Sequence, residues 1–216
     1  MLRFENVSVN FGEKAVLSDF SFEAREGEHT CILGPSGCGK TTLWRLASGL
    51  MQPGSGRVTR FEHARAAFVF QEDRLLPWCS CFENLTAVGV PGERAELFLR
   101  GLGLGGEERA LPDELSGGMK RRLAIARALG YGGDVFFFDE MLQGLDLKTS
   151  GEVLALVAKE LSGKTALMIT HSPEEALALA DRIVIVKGPP VEVVRDCAAS
   201  GLDGAEELKE LLGREL

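Results

Sequence analysis

The sequence predicts an α/β fold built on central parallel strands, and three observations carry that expectation. The first is Leu33-Gly34-Pro35-Ser36-Gly37-Cys38-Gly39-Lys40-Thr41-Thr42. It fits the phosphate-binding pattern G-x-x-x-x-G-K-[ST] at Gly34, Gly39, Lys40 and Thr41. Before it, Thr30 to Leu33 is a short apolar run that suits a buried strand. After it, Leu43, Leu46, Ala47 and Leu50 recur at helical spacing. The second observation is a pair of apolar runs, Val135 to Phe138 and Leu167 to Thr170, of the kind that lies buried on both faces of a parallel sheet. The third is the alternation of Phe20, Phe22 and Ala24 with polar residues, which suits a half-buried strand near the amino terminus.

A chain of 216 residues buries roughly 70% of its unfolded surface without staples. One α/β domain over 1–216 is expected, with a core of about 1–78 and 116–216 and a helical subdomain of about 79–115. The net charge of −8 argues against nucleic acid as a main partner. Cys31, Cys38, Cys79, Cys81 and Cys197 are odd in number and irregularly spaced. They support neither a zinc site nor a disulfide framework, and free thiols suit a reducing cytosol. Arg3 and Glu5 interrupt any leader, and no apolar run approaches the roughly 18 residues of a membrane span. A membrane role is therefore expected to come through a partner.

In chain order, Leu2 to Val9 and Leu17 to Ala24 read as antiparallel strands joined near Gly12-Glu13-Lys14. Phe11, between them, is either a strand-end core aromatic or a ring that stacks on a nucleotide base with Val16 beside it. In the loop from Gly34 to Thr42, glycines let backbone N–H groups approach a polyphosphate, and the following helix start adds positive potential. Lys40 supplies a point charge, and the Thr41 hydroxyl is placed to ligate magnesium. Pro53-Gly54-Ser55-Gly56 reads as a turn. Ala66 to Phe70 reads as a strand ending on Gln71, which is either a surface residue or a group facing the ligand crevice at the strands' carboxyl ends. Leu75-Leu76-Pro77-Trp78 is either an exposed docking patch or a loop folded on the core.

Glu83 to Gly89 and Glu93 to Leu102 read as helices within the insertion. At Leu115-Ser116-Gly117-Gly118-Met119, Ser116 is a good N-cap and two glycines expose N–H groups at a helix start. This is either a second anion site, with Arg121, Arg122 and Arg127 as reinforcement, or an ordinary capped helix with a basic face. Asp139 and Glu140 end the run from Val135. They read as a magnesium-associated acid and a base for water, or as a helix N-cap pair. Asp146 starts a helix to Leu161. His171 ends the next strand, and Ser172-Pro173-Glu174-Glu175 is a helix-start signal that points His171 at the sheet's carboxyl edge. Arg182 to Val186 reads as a core strand, Val191 to Val194 as a short edge strand and Ala205 to Leu212 as a terminal amphipathic helix.

Together these residues resemble the ATPase subunit of ATP-binding cassette (ABC) transporters, over roughly Leu2 to Val194. Six features occur in the family's order: Phe11, Gly34 to Thr42, Gln71, Leu115-Ser116-Gly117-Gly118, Asp139-Glu140 and His171. The resemblance implies a P-loop ATPase with a mixed core sheet, a small antiparallel β subdomain and a helical insertion. It implies ATP and Mg²⁺, with Thr41, Gln71 and Asp139 toward the metal. It also implies two cassettes packed head to tail, so that Ser116, Gly117 and Gly118 bind the γ-phosphate held by the partner copy and Asp146 lies in a loop at the interface. Glu140 would polarise water and His171 would steady the γ-phosphate. Permease subunits in the cell membrane, with the cassettes on its cytoplasmic inner face, and an extracytoplasmic solute-binding protein are the implied partners. Val69 to Trp78 and Leu115 to Arg122 look like importers of nitrate, sulfonate, taurine or pyrimidine precursors. The chain departs from the family at Met141-Leu142-Gln143-Gly144-Leu145-Asp146, where proline usually follows the glutamate, and at Phe11, where tyrosine is common. A soluble non-transport ABC protein and a non-hydrolysing cassette are the alternatives.

Overall fold

The computed structural model describes residues 1–61 and 63–215. Two sheets form its frame. β1 (Leu2–Phe11) and β2 (Lys14–Ala24) make an antiparallel hairpin, and β4 (Ser55–Thr59) pairs with the other edge of β1. The second sheet has the order β5 (Ala66–Val69), β6 (Val135–Asp139), β7 (Thr165–Thr170), β3 (His29–Leu33), β8 (Arg182–Lys187), β9 (Glu192–Ala198). Its first five strands are parallel and β9 is antiparallel, so the core sheet is mixed, as expected.

Hydrophobic pattern explains the strand positions. Every residue of β6 and β7 is buried, which fits strands covered on both faces. Side chains alternate along β6. Phe136 and Phe138 join the apolar cluster under the helices, while Val135 and Phe137 join the cluster under the three-stranded sheet. On that second side Phe137 and Phe68 stack at 5.4 Å, and Trp44 meets Phe70 edge-on at 5.4 Å.

β4 differs from the expectation of a turn through Gly56, because Ser55 and Gly56 already belong to a strand. Its pattern holds one large apolar residue, Val58, so no alternation marks it. The pairing comes from β1, with Phe4 opposite Val58. β9 runs to Ala198, beyond the expected edge strand, and Leu50 is exposed beyond the end of α1 (Lys40–Ala47).

Between β5 and α4 (Gly117–Tyr131) lie α2 (Cys81–Thr86) and α3 (Gly92–Gly101). Ser80 and Glu83 form a capping box on α2. Asn84 is fully buried. Its side chain accepts from Leu76 N at 2.8 Å and donates to the carbonyls of Leu76, Cys79 and Ser80, fixing the loop that carries Trp78. α5 (Leu147–Leu161), α6 (Pro173–Leu179) and α7 (Ala205–Glu215) complete the fold. Among the described residues no helix is long and apolar enough to cross a membrane.

Candidate functional site

Strand register brings the sequence-predicted groups to one edge. Leu33 pairs with Thr170, and Asp139 pairs with Ile169. The phosphate-type loop after β3, the acids at the end of β6 and His171 after β7 therefore emerge side by side at the carboxyl ends of three adjacent parallel strands. That edge is where open α/β sheets bind ligands.

In the loop, Lys40 is nearly buried, and its Nζ donates to Gly34 O at 2.7 Å and Pro35 O at 3.0 Å. Gly39 opens α1 with φ 116°, a left-handed conformation that favours glycine. A Cβ on it would lie 2.5 Å from Val191 Cγ2 and 3.0 Å from Val16 Cγ1. Val16 is thus buried under the loop. A Cβ on Gly34 would lie 2.3 Å from Val186 O. Cys38 is buried, while Pro35, Ser36 and Gly37 are exposed, and Thr41 and Thr42 are half-buried. Phe11 is 55% exposed, so it is not a core aromatic.

Asp139 is 4% exposed, and its Oδ1 has no hydrogen-bond partner among the described residues. Burial pushes its carboxyl up to about 6, with the neighbouring Glu140 acting in the same direction. A buried carboxylate oxygen without a donor is costly, and a cation supplies what it lacks. The donor set, with the Thr41 hydroxyl nearby in sequence to Lys40 and only oxygen chemistry on offer, fits magnesium. Gln71 lies two residues past β5 and is exposed. It shares a cleft of about 60 Å³ with Asp139, Trp44 and Arg45.

Glu140 adopts φ 50°, unusual for a residue other than glycine. Its Oε2 meets Nδ1 of His171 at 2.5 Å, with Glu140 15% and His171 66% exposed. No helix begins at these acids. Residues 141–144 form a turn, and Asp146 caps α5, accepting from Thr149 N at 3.0 Å and Thr149 Oγ1 at 2.6 Å. The N-cap alternative for Asp139 and Glu140 is therefore overturned. The Thr149 bonds hold the Asp146 carboxyl below its ordinary range. Behind His171, Glu175 is buried and accepts from Thr170 Oγ1 at 2.7 Å; burial pushes it up to about 7.

Ser116 caps α4, accepting from Met119 N at 3.3 Å, and Ser116 and Gly117 are exposed. Among the described residues Arg122 alone of the three arginines reaches this turn, through Gly118 O at 3.4 Å, and the expected reinforcement by Arg121 and Arg127 is corrected. Arg122 donates to the carbonyls of Gly118, Leu102 and Gly103, and Arg127 to those of Arg74 and Asp73. Arg121 is 3% exposed and turned inward. Its guanidinium donates to five carbonyls, of Phe70, Gln71, Asp139, Glu140 and Met141, and to the Asp73 carboxylate. Helical spacing from Arg121 to Ala124, Ile125 and Ala128 put it on the buried stripe. That was the available signal, but carbonyl partners have no side-chain signature in a sequence.

A family model described as ABC transporter matches residues 17–143. The aliphatic sulfonates import ATP-binding protein SsuB 1 of Agrobacterium fabrum is 40% identical over 193 residues, covering 85% of this chain and 70% of that protein. SsuB 2 of Paraburkholderia xenovorans is 41% identical over 186 residues, covering 82% and 73%. The structure is similar, at TM-score 0.82 and 29% identity, to a dimeric post-hydrolysis state of the ATP-binding cassette MJ0796 bound to ADP and Pi. That likeness covers 94% of this chain and 100% of the other. Family match, relatives and fold agree, and the chain belongs to the ABC transporter family as one of its ATP-binding cassettes.

Proposed function

We propose that this chain hydrolyses ATP as one half of a two-cassette sandwich and so drives a membrane permease that imports a small anionic solute such as an aliphatic sulfonate. The observation that carries the reading is the row formed by the Gly34 to Thr42 loop, Asp139-Glu140 and His171, with a buried Asp139 oxygen awaiting a partner.

In this reading the loop N–H groups and Lys40 bind the ATP phosphates, Lys40 exchanging its contacts with Gly34 O and Pro35 O for phosphate oxygens. Thr41, Gln71 and Asp139 would hold magnesium. When bound, the ion would neutralise charge on the terminal phosphates. Phe11 stacks on the base, and Val16 supports the loop from below. Glu140 orients and polarises the attacking water. His171 Nδ1 lies against Glu140 Oε2, which leaves Nε2 as the ring nitrogen that would donate a hydrogen bond to the γ-phosphate. Ser116, Gly117 and Gly118 bind the γ-phosphate held by the second cassette, and Asp146 lies at that interface.

Permease docking is supported by the 74% exposed Trp78 and by a groove of about 360 Å³ lined by Phe68, Phe70, Val88 and Tyr131. Through that permease the chain would sit on the inner face of the membrane, and a solute-binding protein would deliver cargo from outside. Sulfonate as cargo rests on the relatives' names. Steady-state turnover with Mg-ATP tests the enzymatic reading. Glu140→Gln is expected to lower kcat by about 100-fold or more with nucleotide still bound. Wild-type turnover in that variant would refute it.

A further inference from the structure

We infer that Arg121 is a positioning residue for Glu140, holding the backbone of the hydrolytic acid and the Gln71 loop in one fixed relation; this rests on the ATPase reading above. Three of its acceptors are consecutive carbonyls. Nη2 donates to Asp139 O at 3.0 Å and Glu140 O at 2.6 Å, and Nε to Met141 O at 2.7 Å. Each peptide plane on either side of Glu140 is thereby tied to one rigid, planar donor.

That tie matters because Glu140 sits at φ 50°. A non-glycine residue keeps such a conformation only where its surroundings over-determine it. The next residue is Met141, fully buried. No ring stiffens the turn, and the guanidinium grips it together with two backbone bonds, Glu140 N to Ile169 O at 2.9 Å and Gln143 N to Glu140 O at 3.0 Å. The conformation aims the Glu140 carboxylate at His171.

The other half of the guanidinium reaches a different loop. Nη1 donates to Phe70 O at 2.5 Å, Gln71 O at 3.2 Å and Asp73 Oδ1 at 3.2 Å. Arg127, further along α4, adds the carbonyls of Asp73 and Arg74. The segment 70–74 is thus fastened to the helix that Ser116 caps, and the same side chain joins both to Glu140. Lysine cannot reproduce this, since one ammonium has three donors radiating from a point and cannot span both loops.

The test measures kcat and KM for ATP in Arg121→Lys, Asp73→Asn, Glu140→Gln and the Arg121→Lys/Glu140→Gln double variant. Arg121→Lys is expected to lower kcat about tenfold or more with KM held within about threefold. Asp73→Asn, which removes the one carboxylate partner at a partly exposed position, is expected to lower kcat at least about threefold in the same pattern. On the Glu140→Gln background the fold-loss from Arg121→Lys is expected to shrink, because the carboxylate it positions is gone and only its tie to the Gln71 loop is still felt. Wild-type kcat in Arg121→Lys or Asp73→Asn, or the same fold-loss persisting on the Glu140→Gln background, overturns the proposal. If Arg121→Lys does not fold, Asp73→Asn with and without Glu140→Gln decides it alone. Unchanged turnover in Glu140→Gln defeats the hydrolytic reading itself. A sensitive Glu140→Gln beside an indifferent Arg121→Lys defeats only the positioning role.

Discussion

Lys40 and Glu175 show how single residues are held in tension at this site. Lys40 is nearly buried and satisfied by two loop carbonyls, acceptors that cost little to exchange for the oxygens of a phosphate. Lys40→Ala is expected to weaken ATP binding at least about tenfold, or roughly 1.4 kcal/mol, in an equilibrium titration with fluorescent nucleotide. Burial raises the pKa of the Glu175 carboxyl, with the charge of Glu140 acting in the same direction, while Thr170, Arg121 and His171 oppose. Its pKa is raised from the ordinary 4.5 to about 7, so the folded state binds a proton more tightly than the unfolded state. That contribution leaves stability unaffected below the unfolded pKa and erodes it as pH rises toward the folded one. Unfolding free energy is therefore expected to fall between pH 4.5 and about 7. In Glu175→Gln the part of that slope due to Glu175, up to about 3 kcal/mol, should vanish in urea titrations across the window.

Elements differ in how plainly the sequence declares them. β6 and β7 are legible because a continuous apolar run has few other places to go. α1, α4 and α6 are legible from their starts: Gly39-Lys40, Ser116 and Ser172-Pro173. β4 is not legible, because its strand character comes from pairing with β1 rather than from its own residues. Site residues divide in the same way. The loop glycines, the acids at the end of β6 and His171 declare themselves by residue type at a strand end. Arg121 does not, because its partners are main-chain carbonyls, and a charge on a helix reads as a solvated face until the fold turns it inward. Gly34 shows a further hidden constraint, since its lack of a Cβ serves the packing of β3 against β8. Gly34→Ala would place Cβ 2.3 Å from Val186 O and 3.0 Å from Val186 Cγ2. A loss of about 1–3 kcal/mol in chemical denaturation is expected even without nucleotide. Ser116→Ala removes the cap on α4, and a loss of about 1 kcal/mol is expected in the same measurement.

At the scale of the molecule, the two candidate anion sites lie on different parts of one chain. The loop at Gly34 to Thr42 follows β3 in the core sheet, while Ser116 and the two glycines open α4 behind the helical insertion. Leu147, immediately after Asp146, is 94% exposed, an apolar side chain left bare beside the turn that follows Glu140. A second copy turned head to tail would bring its α4 start to this chain's loop and cover that surface. Glu140→Gln is expected to trap such a pair, because ATP should stay bound if hydrolysis is slowed. The direct measurement is the mass of purified Glu140→Gln by size-exclusion chromatography with light scattering, without nucleotide and at saturating Mg-ATP. The sandwich account predicts a shift from one chain to two on adding Mg-ATP, abolished by replacing Gly117 with a bulkier residue. A single-chain mass at saturating Mg-ATP, with nucleotide demonstrably bound, would contradict it.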